Sequence, residues 1–313
     1  MTSQPIAVVV GVCTCKRPTM LRACLDSLAA QSLPIDIAMQ IVVVDNEPAP
    51  NNQAGVEAFA ATSPFPVHYV HQPKRGIAAA RNAILDKAMA LGADQIAMLD
   101  DDETADERWI ADLMVEEYRD VPVLVGNHIP QYPDPRPFWA PEKEPKMSVE
   151  GATARYLRTG NVRFSTALLR AGLRFDEVLG LTGGEDQRFF TDAKRLGFEA
   201  RSTNRAATYE AVHSERMTYR FMLDRHRAHM ASLAFRKMQD KGRWPVIASL
   251  PKLIAYVPLG ALELLASLPA RAFGRYRFKQ YALRGGKRLA QVAGTVAALR
   301  GDLPQPYRHV AGH

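Results

Sequence analysis

A chain of 313 residues, 47% hydrophobic and 23% charged, has the composition of a globular protein and is long enough for one sizeable core plus an appendage. Its net charge of +7 sits at the end of the chain: from Leu264 onward nine Lys/Arg meet one acid, Asp302, so the tail carries +8 and the rest sums to −1 (7 − 8). An even basic coat would suggest nucleic acid, whereas a basic tail beside an apolar stretch points to anionic lipid. The three cysteines, Cys13, Cys15 and Cys24, are odd in number and clustered, which argues against a disulfide framework and for a reducing cytoplasm. Cys13-Thr14-Cys15 lacks the spacing of a zinc site. The opening MTSQPIAVVV has no basic region, long apolar run and cleavage site in order, so no signal peptide is expected.

Ile6–Val12 is a continuous, β-branched apolar run, which predicts a strand buried on both faces. Pro18 suits the first turn of a helix reaching about Gln31, with Leu21, Leu25 and Leu28 inward. Ala38–Val44 predicts a second buried strand ending at Asp45. A helix over Asn51–Thr62 and a strand over Val67–His71 follow. Ile77–Leu91 is Ala-rich and helical, and Gly92 is placed to stop it. This alternation predicts an α/β fold, a doubly wound and mostly parallel sheet with right-handed crossovers. Polar residues following the strands would gather along one edge, the usual ligand crevice. Neither a dinucleotide fingerprint nor a P-loop follows the first strand.

Ile96–Glu103, IAMLDDDE, organises the rest. Four apolar residues run into four carboxylates, as in a buried strand delivering acids to a sheet edge. Adjacent carboxylates raise one another's pKa unless a cation shares them, and Mg²⁺ or Mn²⁺ held together with a diphosphate would do so. The plainer alternative is an acidic loop capping a helix from about Asp106 to Tyr118. A strand is expected over Val121–Asn127. Pro130–Pro145 holds six prolines among aromatics and charges, a loop of a length usually kept for function or left as a surface insertion. Phe138-Trp139 within it suggests a sugar-stacking wall. TGNVRFS (Thr159–Ser165) reads as a returning strand, with Gly160-Asn161 allowing close backbone approach.

In GLTGGEDQRFFTDAKRLGF (Gly180–Phe198), Glu185 and Asp186 open a helix behind a flexible Gly-Gly, either as a ligand-facing pair or as caps. Ala206–His213 is strand-like, and His213 closes it as a structural residue or a ligand. A helix is expected from Thr218 to Met238. Trp244–Ala270 has only Lys252 and Glu263 as charges and four prolines. Those prolines argue against a straight spanning helix and for an interfacial or re-entrant segment with a polybasic tail; a hydrophobic hairpin docked on the body is the alternative. Residues 1–240 are thus expected to form a catalytic domain and 241–313 a helical, membrane-associating appendage.

Five motifs in order resemble the family-2 glycosyltransferases over about Ile6–Met238: VVVGVCTCKRPTMLRACLDSLAAQ, VVVDNEP, RGIAAARNAILDKA, LDDDE and GGEDQRFF. Within that family the resemblance is greatest to bacterial exopolysaccharide glucosyltransferases of the succinoglycan type. It implies the nucleotide-sugar glycosyltransferase type A fold, and it implies roles. Cys13 and Arg17 would line the uridine pocket, Asp45 would accept the uracil N3 hydrogen, and Arg75 would lie beside the nucleotide. Asp100 would contact the ribose or the metal with Asp101 beside it, and Asp102 would bind Mn²⁺ or Mg²⁺ directly. Asp186 would be the general base with Glu185 beside it; His213 matches a loosely placed metal- or phosphate-binding His. Cysteines at 13 and 15 depart from the family's usual aromatic or Ser/Thr. No Gln-x-x-Arg-Trp occurs, which argues against a processive synthase. The implied reaction is inverting transfer of a sugar, glucose from UDP-glucose, onto a saccharide acceptor linked to a polyprenyl lipid. The enzyme would be cytoplasmic and peripheral on the inner membrane. A sugar nucleotidyltransferase would need a Gly-rich loop after the first strand, which Cys13–Pro18 lacks; a non-catalytic nucleotide-sugar or lipid binder would tolerate loss of Asp186.

Overall fold

The computed structural model describes residues 4–140, 146–154, 157–212 and 214–305. Strands β1 (Ile6–Thr14), β2 (Ile37–Asp45) and β3 (Val67–His71) alternate with helices α1 (Pro18–Ala29), α2 (Gln53–Ala60) and α3 (Ile77–Ala90), and β4 (Gln95–Asp100) follows. These strands lie parallel in the order β3-β2-β1-β4. Their residues alternate between two cores. Val8, Val10 and Val12 face α1, packing with Leu21, Leu25 and Leu28, while Val9 and Cys13 face α3 with Ile84 and Leu85. Burial on both faces is why these segments read as unbroken apolar runs.

The register decides where the loops go. Thr14 of β1 sits opposite Asp45 of β2, and Cys13 opposite Asp100 of β4. Three strands therefore end level, and their following loops converge on one edge at the β1 crossover point.

Beyond β4 the sheet is mixed. β5 (Glu103–Ala105), α4 (Trp109–Leu113), β6 (Val123–Gln131), β7 (Val162–Ser165), α5 (Ala167–Arg170), α6 (Glu185–Arg195) and β8 (Ala200–Ala211) come next, in the sheet order β4-β7-β6-β8-β5. β7 runs antiparallel to both β4 and β6, and β5 antiparallel to β8. A parallel continuation needs a crossover of a dozen or more residues, and only Asp101 and Asp102 separate β4 from β5. The helix expected over 106–118 is cut to α4 and a 3-10 turn at Glu116–Tyr118. Fully buried Arg163 donates to the carbonyls of Leu113, Tyr118 and Val121. Those carbonyls are thereby satisfied without a longer helix.

The C-terminal part is helical: α7 (Tyr219–Lys241), α8 (Trp244–Ile247), α9 (Leu250–Ala270) and α10 (Arg275–Arg300). α10 lies between α7 and α9. On one side Gly285 and Gly260 bring the α10 and α9 backbones together, beside an Arg288–Glu263 ion pair of 2.9 Å; on the other, Gly294 approaches the Arg227 carbonyl of α7. Contrary to the expectation from its prolines, α9 is one helix through Pro258. The proline lies on the exposed side one turn after exposed Ile254, where a carbonyl left without its helical partner is not enclosed by the protein. Leu253, Gly260 and Ser267, seven apart, form the buried seam. Ile254, Leu262, Leu265 and Leu268 are 61–69% exposed. Trp244–Phe273 is long and apolar enough to cross a membrane by length and composition.

Candidate active site

The level strand ends open into a cavity of about 750 Å³. Cys13, Arg17, Arg75, Asp100, Asp101, Asp102, Glu185 and Asp186 all line it, so the structure brings together eight of the residues the sequence singled out. Asp45 is the exception. It is fully buried and not among the lining residues; its Oδ2 accepts from the Asn52 backbone N–H at 3.0 Å and the Tyr69 hydroxyl at 2.9 Å. Neighbouring Asn46 reaches the cavity instead, and it ties the strand end to the following turn through the carbonyls of Gln72 and Lys74. His213 lies outside the described residues.

The acids at the end of β4 are individually partnered. Asp101 accepts from the Thr14 hydroxyl at 2.9 Å and from Arg17 at 3.0 Å. Arg17 also reaches Asp102 at 3.1 Å, and Arg216 reaches the same Asp102 oxygen at 2.9 Å. Burial pushes the Asp101 carboxyl up to about 6 against the pull of Arg17, and raises Asp102 against Arg216. Asp100 is the open one, its side chain 39% exposed, with Arg81 at 3.2 Å. Glu103 lies at the start of β5 directly across from Glu210 of β8. His128 stands between these like charges, Nδ1 lying 2.9 Å from Glu103 and Nε2 2.8 Å from Glu210. Burial opposes charge on this imidazole, but the two carboxylates overcome it and lift its pKa to about 9. Gly160 packs against the Glu103 carboxylate, where a Cβ would collide with it; this is the close approach expected of that glycine.

Glu185 and Asp186 open α6 behind Gly183 and Gly184, both at positive φ. Gly184 has to be glycine twice over, since a Cβ there would also run into the Ser232 hydroxyl of α7. The pair divides. Glu185 is 4% exposed and ion-paired with Arg81, and burial pushes its pKa up to about 7. Asp186 faces the cavity, with one oxygen taking the Gln187 backbone N–H at 2.6 Å. Buried Arg81, on α3, holds Glu185 through one nitrogen and Asp100 through the other. One guanidinium therefore joins two acidic clusters that lie far apart in sequence.

The chain belongs to glycosyl transferase family 2. The family model matches residues 9–176, and the chain is 31% identical over 250 residues to the succinoglycan biosynthesis protein ExoM of Rhizobium meliloti (strain 1021), covering 78% of this chain and 76% of that protein. Its fold is that of the family's type A enzymes. The mannosyltransferase PcManGT of Pyrobaculum calidifontis, solved with GDP-Man and Mn²⁺, matches with a TM-score of 0.63 at 20% identity, covering 95% of this chain and 88% of that one. TarS 1–349 of S. aureus matches with a TM-score of 0.53 at 17% identity, covering 95% and 92%; that fragment has also been solved with UDP.

One part of this glycosyltransferase's cavity was not read from sequence. Glu210 and Arg216 carry no local pattern and reach the site only through the β5–β8 pairing and the turn before α7. Phe138 and Trp139 are not among the residues lining the cavity. Phe138 is wedged between Tyr219 and Phe278, 5.3 and 5.4 Å between ring centroids, and the Trp139 indole donates to the Met217 carbonyl at 2.8 Å. Phe138 thus fastens the loop to α7 and α10 rather than offering a sugar a stacking wall, because its faces are already covered.

Proposed function

We propose that this glycosyltransferase moves glucose from UDP-glucose onto a saccharide acceptor with inversion, Asp186 acting as general base. The observation that carries this reading is the Arg81 bridge, which holds the acids at the end of β4 and those at the start of α6 against one cavity. Asp186 is the carboxylate open to that cavity at the α6 end, suited to take the proton from an acceptor hydroxyl as it attacks the anomeric carbon. Direct displacement on an α-linked donor gives a β-linked product. Glu185 acts through Arg81, keeping Asp100 oriented. Arg75 and the backbone at Cys13–Arg17 would flank the nucleotide. The UDP complex of TarS and the kinship with ExoM support the donor and an exopolysaccharide product.

Asp100 and Asp102 offer the hard carboxylate oxygens that Mg²⁺ or Mn²⁺ prefers. Among the described residues no three His, Cys, Asp or Glu side chains converge as a complete metal site, so donor phosphates and water would complete the shell. The ion would offset charge on the departing diphosphate. The Mn²⁺ in the PcManGT complex supports that dependence.

Residues 241–313 act as a membrane-docking unit on the cytoplasmic face of the inner membrane, where a lipid-linked acceptor is presented. Exposed leucines of α9 beside Lys252, Arg271 and Arg277 suit an anionic bilayer surface. A thermal-shift panel of nucleotide sugars with and without Mn²⁺ tests the donor. UDP-glucose should stabilise by ~2.7 kcal/mol at a hundredfold excess over its dissociation constant. Equal indifference to every nucleotide sugar would defeat the reading.

A further inference from the structure

Asp102 is gripped by two arginines, and they are not equivalent. Arg17 lies on the loop after β1 and also holds Asp101. Arg216 comes from the 3-10 turn Ser214–Met217, between the last strand and α7. It places one nitrogen 2.9 Å from Asp102 and the other 2.6 Å from Glu210. If Arg216 turned away, Asp102 would keep Arg17 and Glu210 would keep His128. Neither carboxylate would be stranded, so the large penalty for an uncompensated buried charge does not apply. Arg81 has no such freedom, because nothing else among the described ion pairs holds Glu185. The Arg216 side chain is 21% exposed and lines the cavity.

We propose that Arg216 is a diphosphate-binding residue that exchanges partners, from Asp102 to the donor. This rests on the nucleotide-sugar reading given above. Without the donor, Arg216 neutralises Asp102. A diphosphate in the cavity offers the guanidinium a fork of anionic oxygens that it can grip with two nitrogens. Its turn towards them leaves the shared Asp102 oxygen with Arg17 alone. With one cation fewer against it, Asp102 draws a divalent cation beside the same diphosphate more strongly. Cation uptake at Asp102 is thereby made conditional on the nucleotide, and the enzyme does not collect divalent ions on its own.

The experiment is a Mn²⁺ titration followed by the EPR signal of the free ion, with and without UDP, alongside UDP binding measured without metal. Wild type should take up Mn²⁺ at least tenfold more tightly with UDP than without. Arg216→Gln should bind Mn²⁺ alone at least tenfold more tightly than wild type, yet bind UDP alone at least tenfold more weakly. Arg158→Gln, which removes a different cavity arginine, should leave Mn²⁺ affinity within about twofold, separating Asp102 exposure from a general change in charge. Should Arg216→Gln fail to fold, Arg216→Lys, which keeps the charge but lacks the two-nitrogen guanidinium fork, should shift both affinities in the same directions by less. Unchanged Mn²⁺ affinity in Arg216→Gln overturns the exchange, as does unchanged UDP affinity. If no form binds UDP, the donor reading fails instead, since release of Asp102 still shows as tighter Mn²⁺ binding in the variant.

Discussion

The cavity and the outer face of α9 invert the usual distribution of side chains in opposite ways. At the end of β4, Asp101, Asp102 and Glu103 are nearly withdrawn from water, although isolated buried charges are costly. On α9, leucines stand 61–69% exposed, although that surface would be more stable covered. In the first region each acid has a named cationic or hydroxyl partner; in the second the described residues leave the outer face uncovered. The cavity's buried acids are thus ion-paired within the fold, with Oε2 of Glu103 and of Glu185 left without a hydrogen-bond partner there, whereas the described residues leave the α9 face open. Buried, paired charge points to chemistry, and exposed apolar surface points to a partner.

The comparison is sharpest at Asp186, where the largest effect is expected. Asp186→Asn should lower turnover by about 10²–10⁴-fold while leaving UDP affinity unchanged, as read by initial rates and calorimetry. If the variant turned over normally, the base would have to be sought elsewhere. Next is Arg81→Leu, which strands Glu185 and removes a partner of Asp100. It should cost about 3–5 kcal/mol of stability in denaturant titrations, and a loss below about 1 kcal/mol would show the cavity's ion pairs to be incidental.

A smaller effect follows from His128. Its pKa is about 9 in the fold against about 6.5 in the unfolded chain. The raised value means that its stabilisation is complete below pH 6.5 and is lost as pH climbs through 9. Wild type should lose up to about 3 kcal/mol across that window, and His128→Asn should lose that slope. The smallest effect belongs to α9. Leu265→Ala should leave the melting temperature within about 2 °C, since the side chain is mostly exposed. It should weaken binding to vesicles containing phosphatidylglycerol by about tenfold. A variant that melts early but binds vesicles as before would mean that the face is covered by protein.

The first half of the sheet was legible because parallel strands buried on both sides leave unbroken apolar runs, and their loops carried the polar residues of the site. The second half was not. Its pairings join segments far apart in the chain, β7 with β4 and β6, and β5 with β8, which no local pattern announces. Asp186 could be found from its place at a helix start behind two glycines. That Glu185 next to it is buried against Arg81 while Asp186 is open could not, since which helix face packs inward is decided by tertiary contacts. Asp45 shows the same limit: nothing in the run before it tells that one of its oxygens accepts from Tyr69 and the Asn52 backbone. Arg216 and Glu210 had no local signal at all.

Phe138 sits between α7 and α10, and Lys279 of α10 donates to the Ala140 carbonyl at 2.6 Å. Residues 138–140 therefore ride on the same scaffold that presents the greasy leucines. Any tilt of that scaffold is handed on to them and, through the strand before them, to the rim of the sheet.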